Sequence, residues 1–287
     1  MKGIVLAGGS GSRLRPMTTA LSKQLMPIYD KPMIHYPIST LMLAGVREFL
    51  IITAPDQEKL FKSTLGNGER IGIDIQYKSQ PQPNGIAEAL IIGEKFIEDK
   101  NSILILGDNI FYGVGMGHDL TKYAINKGAH IFTKVVSNPQ DFGILTLDKD
   151  NNPQDIIEKP LNSKSKLAIT GLYFFDSQAS SIAKEIKPSP RGELEITEVL
   201  NFYLRNKTLQ YTELPRGTVW LDTGTPMAML EASLFMKVIE ERTSMKIACL
   251  EEIAWRSGWI NEQDIEKIAL DYGQGTTYGA YLQSLIR

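Results

Sequence analysis

The decisive stretch of this sequence is residues 4–16, IVLAGGSGSRLRP. A short apolar run, suited to a buried parallel strand, leads directly into a glycine-rich loop that carries two arginines. Glycines let backbone N–H groups approach an anion closely, and the arginine guanidinium fits phosphate as a permanently charged fork. Residues 23–27, KQLMP, then add Lys23 as a further cation. The opening of the chain therefore predicts a polyphosphate-binding site.

Two nucleotide-binding fingerprints and a plain turn fit the glycine loop less well. A dinucleotide-binding fingerprint requires another glycine three residues after Gly11, where this chain has Leu14. A Walker-type phosphate loop requires Gly-Lys-Ser or Gly-Lys-Thr at its end, and the chain has neither. A plain strand-to-helix turn gives no reason for Arg13, Arg15 and Lys23 to occur together.

The size and charge of the chain limit the class of protein. With 287 residues, 43% of them hydrophobic, it can bury the core of one large α/β domain or of a domain with a smaller appendage. The formal net charge of −2 argues against a nucleic-acid interface, which needs a positive face. No segment approaches the ~20 apolar residues of a membrane span, and the N-terminus lacks a signal-peptide pattern. We expect a cytoplasmic protein with neither nucleic acid nor membrane as a partner.

Cysteine and histidine usage narrows the chemistry. Cys249 is the single cysteine, which excludes an internal disulfide and predicts a buried, inert thiol in a reducing cytosol. The histidines His35, His118 and His130 lie far apart and lack metal-ligand spacing. Any bound metal is therefore expected to be held by carboxylates, which favours magnesium or manganese.

Short apolar runs alternate with amphipathic stretches along most of the chain. The runs predict β-strands at residues 3–7, 48–53, 74–78, 102–107, 130–136 and 168–175. Helical periodicity at residues 33–44 and 86–96 lies between them. This alternation predicts an α/β fold with a mostly parallel, mixed sheet and helices on both faces, in which ligands gather at the carboxyl ends of the strands.

The pattern changes after Trp220. Residues 226–242 and 261–286 predict helices with glycine and proline at their edges, and no flexible linker separates them from the rest. We therefore divide the chain into an α/β core at residues 1–225 and a C-terminal helical segment at residues 226–287 that packs on the core.

Two aspartates are candidate metal ligands. Asp108 ends an apolar strand and is followed by Asn109, so it can bind a divalent cation or simply form a turn. Asp222 lies in residues 219–226, VWLDTGTP, and can bind the same cation or cap the helix that begins at Pro226. A two-carboxylate site requires both residues to reach one place from distant segments.

Three further segments carry charges or amides beside turns. Lys159 can neutralise a phosphate and Glu158 can accept hydrogen bonds from sugar hydroxyls, while a surface ion pair is the alternative. Gln80 can pair an amide donor and acceptor with a base edge, or belong to a solvated loop. Arg191 can contact a phosphate, whereas the glutamates of residues 191–198, RGELEITE, fit the first turn of a helix.

In order along the chain, these motifs resemble the signatures of the sugar-1-phosphate nucleotidyltransferases, most closely those of the glucose-1-phosphate thymidylyltransferase group. The resemblance rests on residues 8–16 GGSGSRLRP with 23–27 KQLMP, 107–109 GDN, 158–160 EKP, 191–197 RGELEIT and 220–224 WLDTG. Serine at position 12 departs from the threonine that is frequent there. The resemblance covers nearly the whole chain and implies a three-layer α/β/α Rossmann-like nucleotidyltransferase fold with C-terminal helices.

The resemblance also implies roles for individual residues. The nucleoside triphosphate would be held by Gly8, Gly9, Gly11, Ser12, Arg13, Gln24, Gln80, Gly85 and Asp108. The sugar and its phosphate would be held by Asn109, Gly143, Glu158, Lys159, Tyr173 and Arg191. Mg²⁺ would bind Asp108 and Asp222, and the catalytic set would be Arg13, Lys23, Asp108, Lys159 and Asp222.

The implied reaction converts dTTP and glucose 1-phosphate to dTDP-glucose and pyrophosphate, toward dTDP-rhamnose or related sugars. Alternatives are a UTP–glucose-1-phosphate uridylyltransferase, a non-catalytic nucleotide-sugar-binding regulatory protein and a nicotinamide-dependent dehydrogenase, which Leu14 disfavours. The resemblance further implies a homotetramer inhibited by dTDP-rhamnose at an allosteric site, for which Arg216, Glu252 and Arg256 are the candidates.

Overall fold

Strands and helices alternate along the chain. The computed structural model describes residues 1–9, 11–113, 115–124, 127–273 and 275–286. The β-strands are β1 (Lys2–Ala7), β2 (Pro27–Ile28), β3 (Lys31–Pro32), β4 (Glu48–Thr53), β5 (Asp74–Ser79), β6 (Ser102–Leu106), β7 (Asn109–Tyr112), β8 (Ala129–Val135), β9 (Gly143–Leu147), β10 (Pro153–Glu158), β11 (Leu167–Phe175), β12 (Leu209–Glu213) and β13 (Val219–Asp222). The α-helices are α1 (His35–Leu43), α2 (Glu58–Leu65), α3 (Glu88–Ile92), α4 (Glu94–Ile97), α5 (Ala179–Glu185), α6 (Ile196–Arg205), α7 (Pro226–Thr243), α8 (Leu250–Arg256), α9 (Glu262–Tyr272) and α10 (Thr277–Leu285).

A nine-stranded sheet forms the centre of the fold. Its order is β10-β9-β11-β6-β1-β4-β5, with β8 beside β11 and β12 beside β8. β5, β4, β1 and β6 pair in parallel, and so do β8 and β12. β11 is antiparallel to β6, β8 and β9, and β10 is antiparallel to β9. β10 and β11 therefore run against all the other strands of this sheet, which confirms the predicted mixed, mostly parallel arrangement.

The central parallel strands are buried on both faces. In β1, Val5 packs into one hydrophobic cluster and Ile4 into another, and Ile105 and Leu104 of β6 divide in the same way. Because successive side chains of a strand point to opposite faces, a continuous apolar run needs a helical layer on each side. Residues of α1, α2 and α8 to α10 cover one face, and residues of α3 to α6 cover the other. The three-layer α/β/α prediction is confirmed.

Two predicted helices differ from the observed ones. Residues 86–96 form two short helices, α3 and α4, that are separated by Gly93. At Gly93 a Cβ would lie 2.8 Å from Ile4 Cδ1, so the missing side chain lets this segment approach β1 closely. The stretch predicted as helical at 261–286 ends its first helix at Gly273, whose φ of 91° is left-handed, and continues as α10. Both stretches are helical as predicted, but each is divided into two helices at a glycine.

The first C-terminal helix, α7, is held in place by a capping residue at its start and by a buried ion pair. Thr225 caps α7 by accepting a hydrogen bond from Ala228 N at 3.2 Å, with Pro226 in the first turn. Glu240 of α7 pairs at 2.9 Å with Lys31 of β3, and both residues are buried. These contacts hold α7 against the preceding part of the chain. The division into a core and a C-terminal segment at residue 225 stays a prediction. No helix within the described ranges has the length and apolar character that crossing a bilayer requires.

Candidate active site

Side chains from distant parts of the chain meet at one cavity of about 220 Å³. It lies where β11 passes from β9, which it pairs at Leu167 and Ala168, to β6, which it pairs from Leu172 onward. The lining residues are Arg13, Ile86, Leu106, Asp108, Asn109, Asp141, Phe142, Gly143, Glu158, Lys159, Ile169, Gly171, Tyr173, Ile196, Thr197, Trp220 and Asp222. Lys23 reaches the same place through a hydrogen bond to Asp108. The structure thus brings together all five residues predicted as catalytic.

Asp108 lies in the turn between β6 and β7, at the carboxyl end of a buried parallel strand. Lys23 Nζ donates to its Oδ2, and Asn109 Nδ2 donates to its Oδ1 at 3.0 Å. Burial works to raise the pKa of Asp108, but the charge and hydrogen bond of Lys23, with the Asn109 bond, outweigh burial and hold the pKa below its usual value. Asp108 therefore forms the turn after β6 and also places a negative charge at the cavity.

Asp222 reaches Asp108 through a two-stranded ribbon outside the main sheet. β13 pairs antiparallel with β7, and this register sets Asp222 opposite Asp108's neighbour, Asn109. Thr223 tightens the junction, because its N and Oγ1 donate to the Asp108 carbonyl oxygen at 3.2 and 2.8 Å. Since Thr225 is the cap of α7, the alternative role of Asp222 as a helix cap is excluded.

The two carboxylates fit a divalent cation. Burial raises the pKa of Asp222, and the negative charge of Asp108 raises it further against the opposing charges of Lys23 and Arg13. Two converging carboxylates in a partly dry cavity offer hard oxygen ligands that Mg²⁺ prefers. Within the described ranges, no three His, Cys, Asp or Glu side chains gather as a metal cluster. A magnesium ion held here would take its remaining oxygens from phosphate or water, as Mg²⁺ commonly does.

The glycine loop brings Arg13 to the same carboxylates. Gly11 takes a φ of 58°, a left-handed conformation that an L side chain rarely adopts, and so turns the chain into the short 3₁₀ helix Ser12–Leu14. The Arg13 guanidinium lies so close to Gly224 that a Cβ there would be 2.7 Å from its Nη2 and 3.2 Å from Asp222 Oδ1. Gly224 therefore leaves the room in which Arg13 and Asp222 approach each other.

Most of the other residues predicted to bind the nucleotide do not line this cavity. Gly8 is buried, whereas Gly9 and Ser12 are exposed. Gln24 is 2% exposed and its Oε1 accepts from Ser22 Oγ at 2.5 Å. Its Cγ packs against Gly107, where a Cβ would lie 3.1 Å away. In this structure Gln24 therefore supports the turn that contains Asp108 by packing against Gly107.

Gln80 and Gly85 lie on the loop between β5 and α3. Gln80 Nε2 donates to Glu88 Oε2 at 2.7 Å and to the Gly85 carbonyl oxygen at 3.2 Å, so both amide hydrogens are used within the protein. Gly85 has a φ of 114° and packs so tightly that a Cβ would lie 2.4 Å from the Leu194 carbonyl oxygen. Gln80 thus offers a ligand its carbonyl oxygen, and not the donor–acceptor pair that the sequence analysis predicted.

The residues predicted to hold the sugar and its phosphate form the other side of the cavity. Lys159, with an exposed side chain and a left-handed φ of 43°, follows β10, and its Nζ lies 3.8 Å from Glu158 Oε1. Burial raises the pKa of Glu158, and the charge of Glu195 adds to it against Lys159 and Arg191. At Gly143 a Cβ would lie 2.8 Å from Thr197 Cγ2 and 3.3 Å from Glu158 Oε2, so only glycine keeps this wall open.

Three further predicted residues complete that side in different ways. Tyr173 is buried and stacks on Phe175, which makes it a wall of the cavity. Asn109 is 3% exposed and its Oδ1 accepts from Trp220 Nε1 at 2.6 Å and Gly171 N at 3.2 Å, so it braces Asp108. Arg191 does not line the 220 Å³ cavity. It lines an adjoining cavity of about 740 Å³ that also includes Glu158 and Lys159.

Comparison with known proteins agrees with this geometry. A model of the nucleotidyl transferase family matches residues 2–238. The chain belongs to the nucleotidyl transferase family. Among curated relatives, it is 50% identical to a glucose-1-phosphate thymidylyltransferase of Neisseria gonorrhoeae, over 100% of this chain and 99% of the relative. It is 44% identical to a glucose-1-phosphate thymidylyltransferase of Mycolicibacterium smegmatis, again over 100% of this chain and 99% of the relative.

Solved structures of nucleotidyl transferases share the fold. A protein assigned as a Bacillus anthracis glucose-1-phosphate thymidylyltransferase, crystallised with sucrose, matches with a TM-score of 0.75 and 37% identity over 82% of this chain and 94% of that one. UDP-glucose pyrophosphorylase in complex with UDP-glucose matches with a TM-score of 0.73 over 83% and 98%, and at 23% identity this likeness concerns the fold alone. The predictions of the fold class and of an enzyme of the nucleotidyltransferase type are confirmed.

Several residues that line the cavity of this nucleotidyl transferase are not among the site residues predicted from its sequence. Trp220 and Phe142 pack their rings 5.1 Å apart on one wall, and Thr197 and Gly171 close others. Trp220 lies in the motif 220–224 WLDTG, two residues before Asp222, and that position was the available signal. Thr197 likewise ends the motif 191–197 RGELEIT, whereas Gly171 lies within a strand, where nothing in the sequence separates a cavity wall from ordinary core.

A third cavity contains two of the three residues predicted as allosteric. Glu252 and Arg256 line a space of about 660 Å³ beside α1 and α8. Arg256 Nε donates to Glu252 Oε1 at 2.7 Å, and Tyr281 OH donates to Glu252 Oε2 at 2.5 Å. Arg216 is exposed in the turn between β12 and β13 and does not line this cavity. Cys249, which also lines it, is buried, and burial raises the pKa of its thiol, as expected for an inert cysteine.

Proposed function

We propose that this nucleotidyl transferase moves a thymidylyl group from dTTP to α-D-glucose 1-phosphate, giving dTDP-glucose and pyrophosphate. The observation that carries the proposal is the convergence of Arg13, Lys23 and Lys159 with Asp108 and Asp222 at one cavity. The support for this substrate pair is the full-length 50% identity to a relative named for it.

Charge neutralisation is the main task of such a site. A phosphate oxygen of glucose 1-phosphate attacks the α-phosphorus of dTTP in line with the leaving pyrophosphate, so two anions must approach each other. Two like unit charges ~4 Å apart at an effective dielectric of about 20 repel by about 4 kcal/mol. In the proposed arrangement Arg13 and Lys23 hold the triphosphate, and Lys159 and Arg191 hold the sugar phosphate. The attacking phosphate is already ionised near neutral pH, so no protein base is needed.

Asp108 and Asp222 are the proposed ligands of Mg²⁺. When bound, the ion supplies charge neutralisation to the phosphates and a template for their orientation. The role of Lys23 beside Asp108 is to keep that carboxylate ionised and turned to the cavity, and Asn109 fixes its second oxygen. The proposed sugar pocket is formed by Gly143, Glu158 and Tyr173, whose walls leave room for a hexose but no further side chain at position 143.

Truncation of Lys159 is expected to weaken the use of the sugar phosphate selectively. In Lys159→Ala the KM for glucose 1-phosphate should rise by about 10- to 100-fold, because one charged hydrogen bond to phosphate is lost. The KM for dTTP should change by less than about threefold. Steady-state kinetics with each substrate varied in turn measures both values. Lys164→Ala is the matched control, since Lys164 is exposed and lies outside both cavities. An unchanged dependence on glucose 1-phosphate would remove Lys159 from the sugar side.

A substrate panel tests the proposed reaction itself. Pyrophosphate release is measured for dTTP, UTP, dCTP, ATP and GTP against several sugar 1-phosphates in the presence of Mg²⁺. We expect the highest kcat/KM with dTTP and glucose 1-phosphate. The base of UTP lacks the methyl group of thymine, which a pocket discriminates by only ~1–3 kcal/mol, and its ribose carries a 2′-hydroxyl group that dTTP lacks, so slower use of UTP is compatible with the proposal. A clear preference for UTP would establish a uridylyltransferase, and nucleotide-sugar binding without pyrophosphate release from any pair would establish a regulatory protein.

Assembly, regulation and location are part of the same proposal. The enzyme acts in the cytoplasm as a homotetramer, with neither nucleic acid nor membrane as a partner, and its product is used for dTDP-rhamnose or a related sugar. Inhibition by that end product takes place at the third cavity, of about 660 Å³, where Glu252 and Arg256 lie, with Arg216 as a further candidate. The support for this site is the Glu252–Arg256 ion pair, which lines a cavity that does not include Asp108. Arginine binds diphosphates well through paired hydrogen bonds.

A further inference from the structure

The amide of Gln80 is held in one orientation. Its Nε2 donates both hydrogens within the protein, to Glu88 Oε2 and to the carbonyl oxygen of Gly85, and Gln80 is only 3% exposed. Its Oε1 points to the glycine loop, where a Cβ at Gly8 would lie 2.5 Å from it. The group that Gln80 presents toward the nucleotide loop is therefore a pure acceptor.

Glu88 at the start of α3 fixes this orientation together with the Gly85 carbonyl oxygen, and its hydrogen bond to Gln80 is the shorter of the two. An ionised carboxylate accepts hydrogen bonds and donates none, so Glu88 holds the NH₂ end of Gln80, and not its oxygen, toward itself. The other oxygen of Glu88 accepts from Asn84 Nδ2 at 3.0 Å, which clamps the carboxylate between two amides. Two backbone hydrogen bonds to Leu194 hold the loop from Asn84 to Ala87 in place. Leu194 N donates to the Asn84 carbonyl oxygen at 2.6 Å, and Ala87 N donates to the Leu194 carbonyl oxygen at 3.1 Å.

We infer that Glu88 is a specificity-determining positioning residue, which selects a nucleotide base with a ring N–H by leaving only the carbonyl oxygen of Gln80 to face the base. The inference rests on the proposed function and deepens it. Thymine and uracil carry this N–H at N3, whereas cytosine has an unprotonated N3 at the same place. With cytosine, the Gln80 oxygen would lose its hydrogen bond and meet a second lone pair. Glu88 itself does not line the cavity that holds Asp108.

The discriminating measurement is the ratio of kcat/KM for dTTP to kcat/KM for dCTP, with glucose 1-phosphate as the second substrate. In Glu88→Gln the new amide can offer either end, so only the Gly85 carbonyl oxygen at 3.2 Å still holds the Gln80 NH₂ group, and Gln80 turns and presents that group to cytosine more readily. We expect the ratio to fall by about tenfold or more. A purely structural loss would lower both values together and leave the ratio unmoved. Glu94→Gln is the matched control, because the side chain of Glu94 on α4 is 45% exposed and pairs with Lys184; there the ratio should stay within about twofold.

Each result has a separate meaning. An unchanged ratio in Glu88→Gln, with a thermal midpoint near that of the wild type, overturns the inference and leaves the proposed function standing. If Glu88→Gln unfolds, Glu88→Met, which also removes the carboxylate that accepts from the Gln80 amide, takes its place with the same expectation. Equal use of dTTP and dCTP by the wild type overturns the inference without either variant. If the wild type does not turn over dTTP, the proposed function fails, and calorimetric affinities for dTDP and dCDP in the same proteins then decide the inference.

Discussion

Asp108→Asn is expected to lower kcat by about 10²- to 10³-fold or more at saturating Mg²⁺, while the protein stays folded. The substitution keeps the shape of the side chain and removes the charge that faces the cavity. With Asp222 alone, the site has one carboxylate for a divalent cation where it now has two. The loss should appear mainly in kcat, because the missing interaction is strongest when charge builds on the leaving pyrophosphate.

The fold should tolerate this change. The amide oxygen introduced at position 108 can still accept a hydrogen bond from Lys23 or Asn109, and the repulsion that raises the pKa of Asp222 disappears. Pyrophosphate release and the thermal midpoint are measured on the same preparation. Asp99→Asn is the control, because Asp99 is an exposed aspartate just before β6, at the opposite end of the strand that Asp108 follows. Turnover of Asp108→Asn within about threefold of the wild type would exclude Asp108 from the site.

The sequence predicted the sheet well because its central strands are buried on both faces. The apolar centres of runs such as residues 48–53 and 102–107 are continuous, and their short length between turn signals favours a buried strand over a helix, which needs a longer run. The helix boundaries were harder. Gly93 and Gly273 interrupt helices for different reasons, one by close packing on β1 and the other by a left-handed φ. The local hydrophobic pattern indicates neither the contact of Gly93 with β1 nor the backbone angle of Gly273.

The charged members of the site were predictable, but their meeting point was not. Asp108 follows a buried strand and Lys23 follows the glycine loop, so both are expected at the carboxyl edge of the sheet. Asp222 arrives by a different route, the β13–β7 ribbon outside the main sheet, and pairing between segments so far apart cannot be read from periodicity. Its neighbour Thr225 shows how ambiguous the local signal was, since either residue could have capped α7.

Residues that act through others were the hardest to find. Asn109 was predicted to bind the sugar, yet its amide is divided among Asp108, Trp220 and Gly171. Glu88 looked like an ordinary residue of a helix, and its importance lies in the two amides that it orients. Such roles depend on hydrogen-bond direction, and that property exists only once the fold has brought the groups together.

Arg13→Gln is expected to lower kcat by about 10²- to 10³-fold, with a much smaller change in the KM for glucose 1-phosphate. The guanidinium lies beside Gly224 and Asp222 at the cavity, on the side of the glycine loop where the triphosphate is proposed to bind. Glutamine keeps a polar side chain there but removes the positive charge that stabilises the departing pyrophosphate. Arg13→Lys should recover only part of the loss, because an ammonium cannot reproduce the two parallel hydrogen bonds of the guanidinium fork.

Arg15→Gln supplies the matched control for Arg13. Both arginines belong to the same loop and both are exposed, but only Arg13 lines the cavity. Single-turnover measurements of dTTP consumption, with enzyme in excess, separate the chemical step from product release. We expect Arg15→Gln to stay within about twofold of the wild type while Arg13→Gln is slowed in the chemical step itself. Equal losses in the two variants would mean that the loop acts through its overall charge, and that the position of Arg13 beside Asp222 has no special part in the reaction.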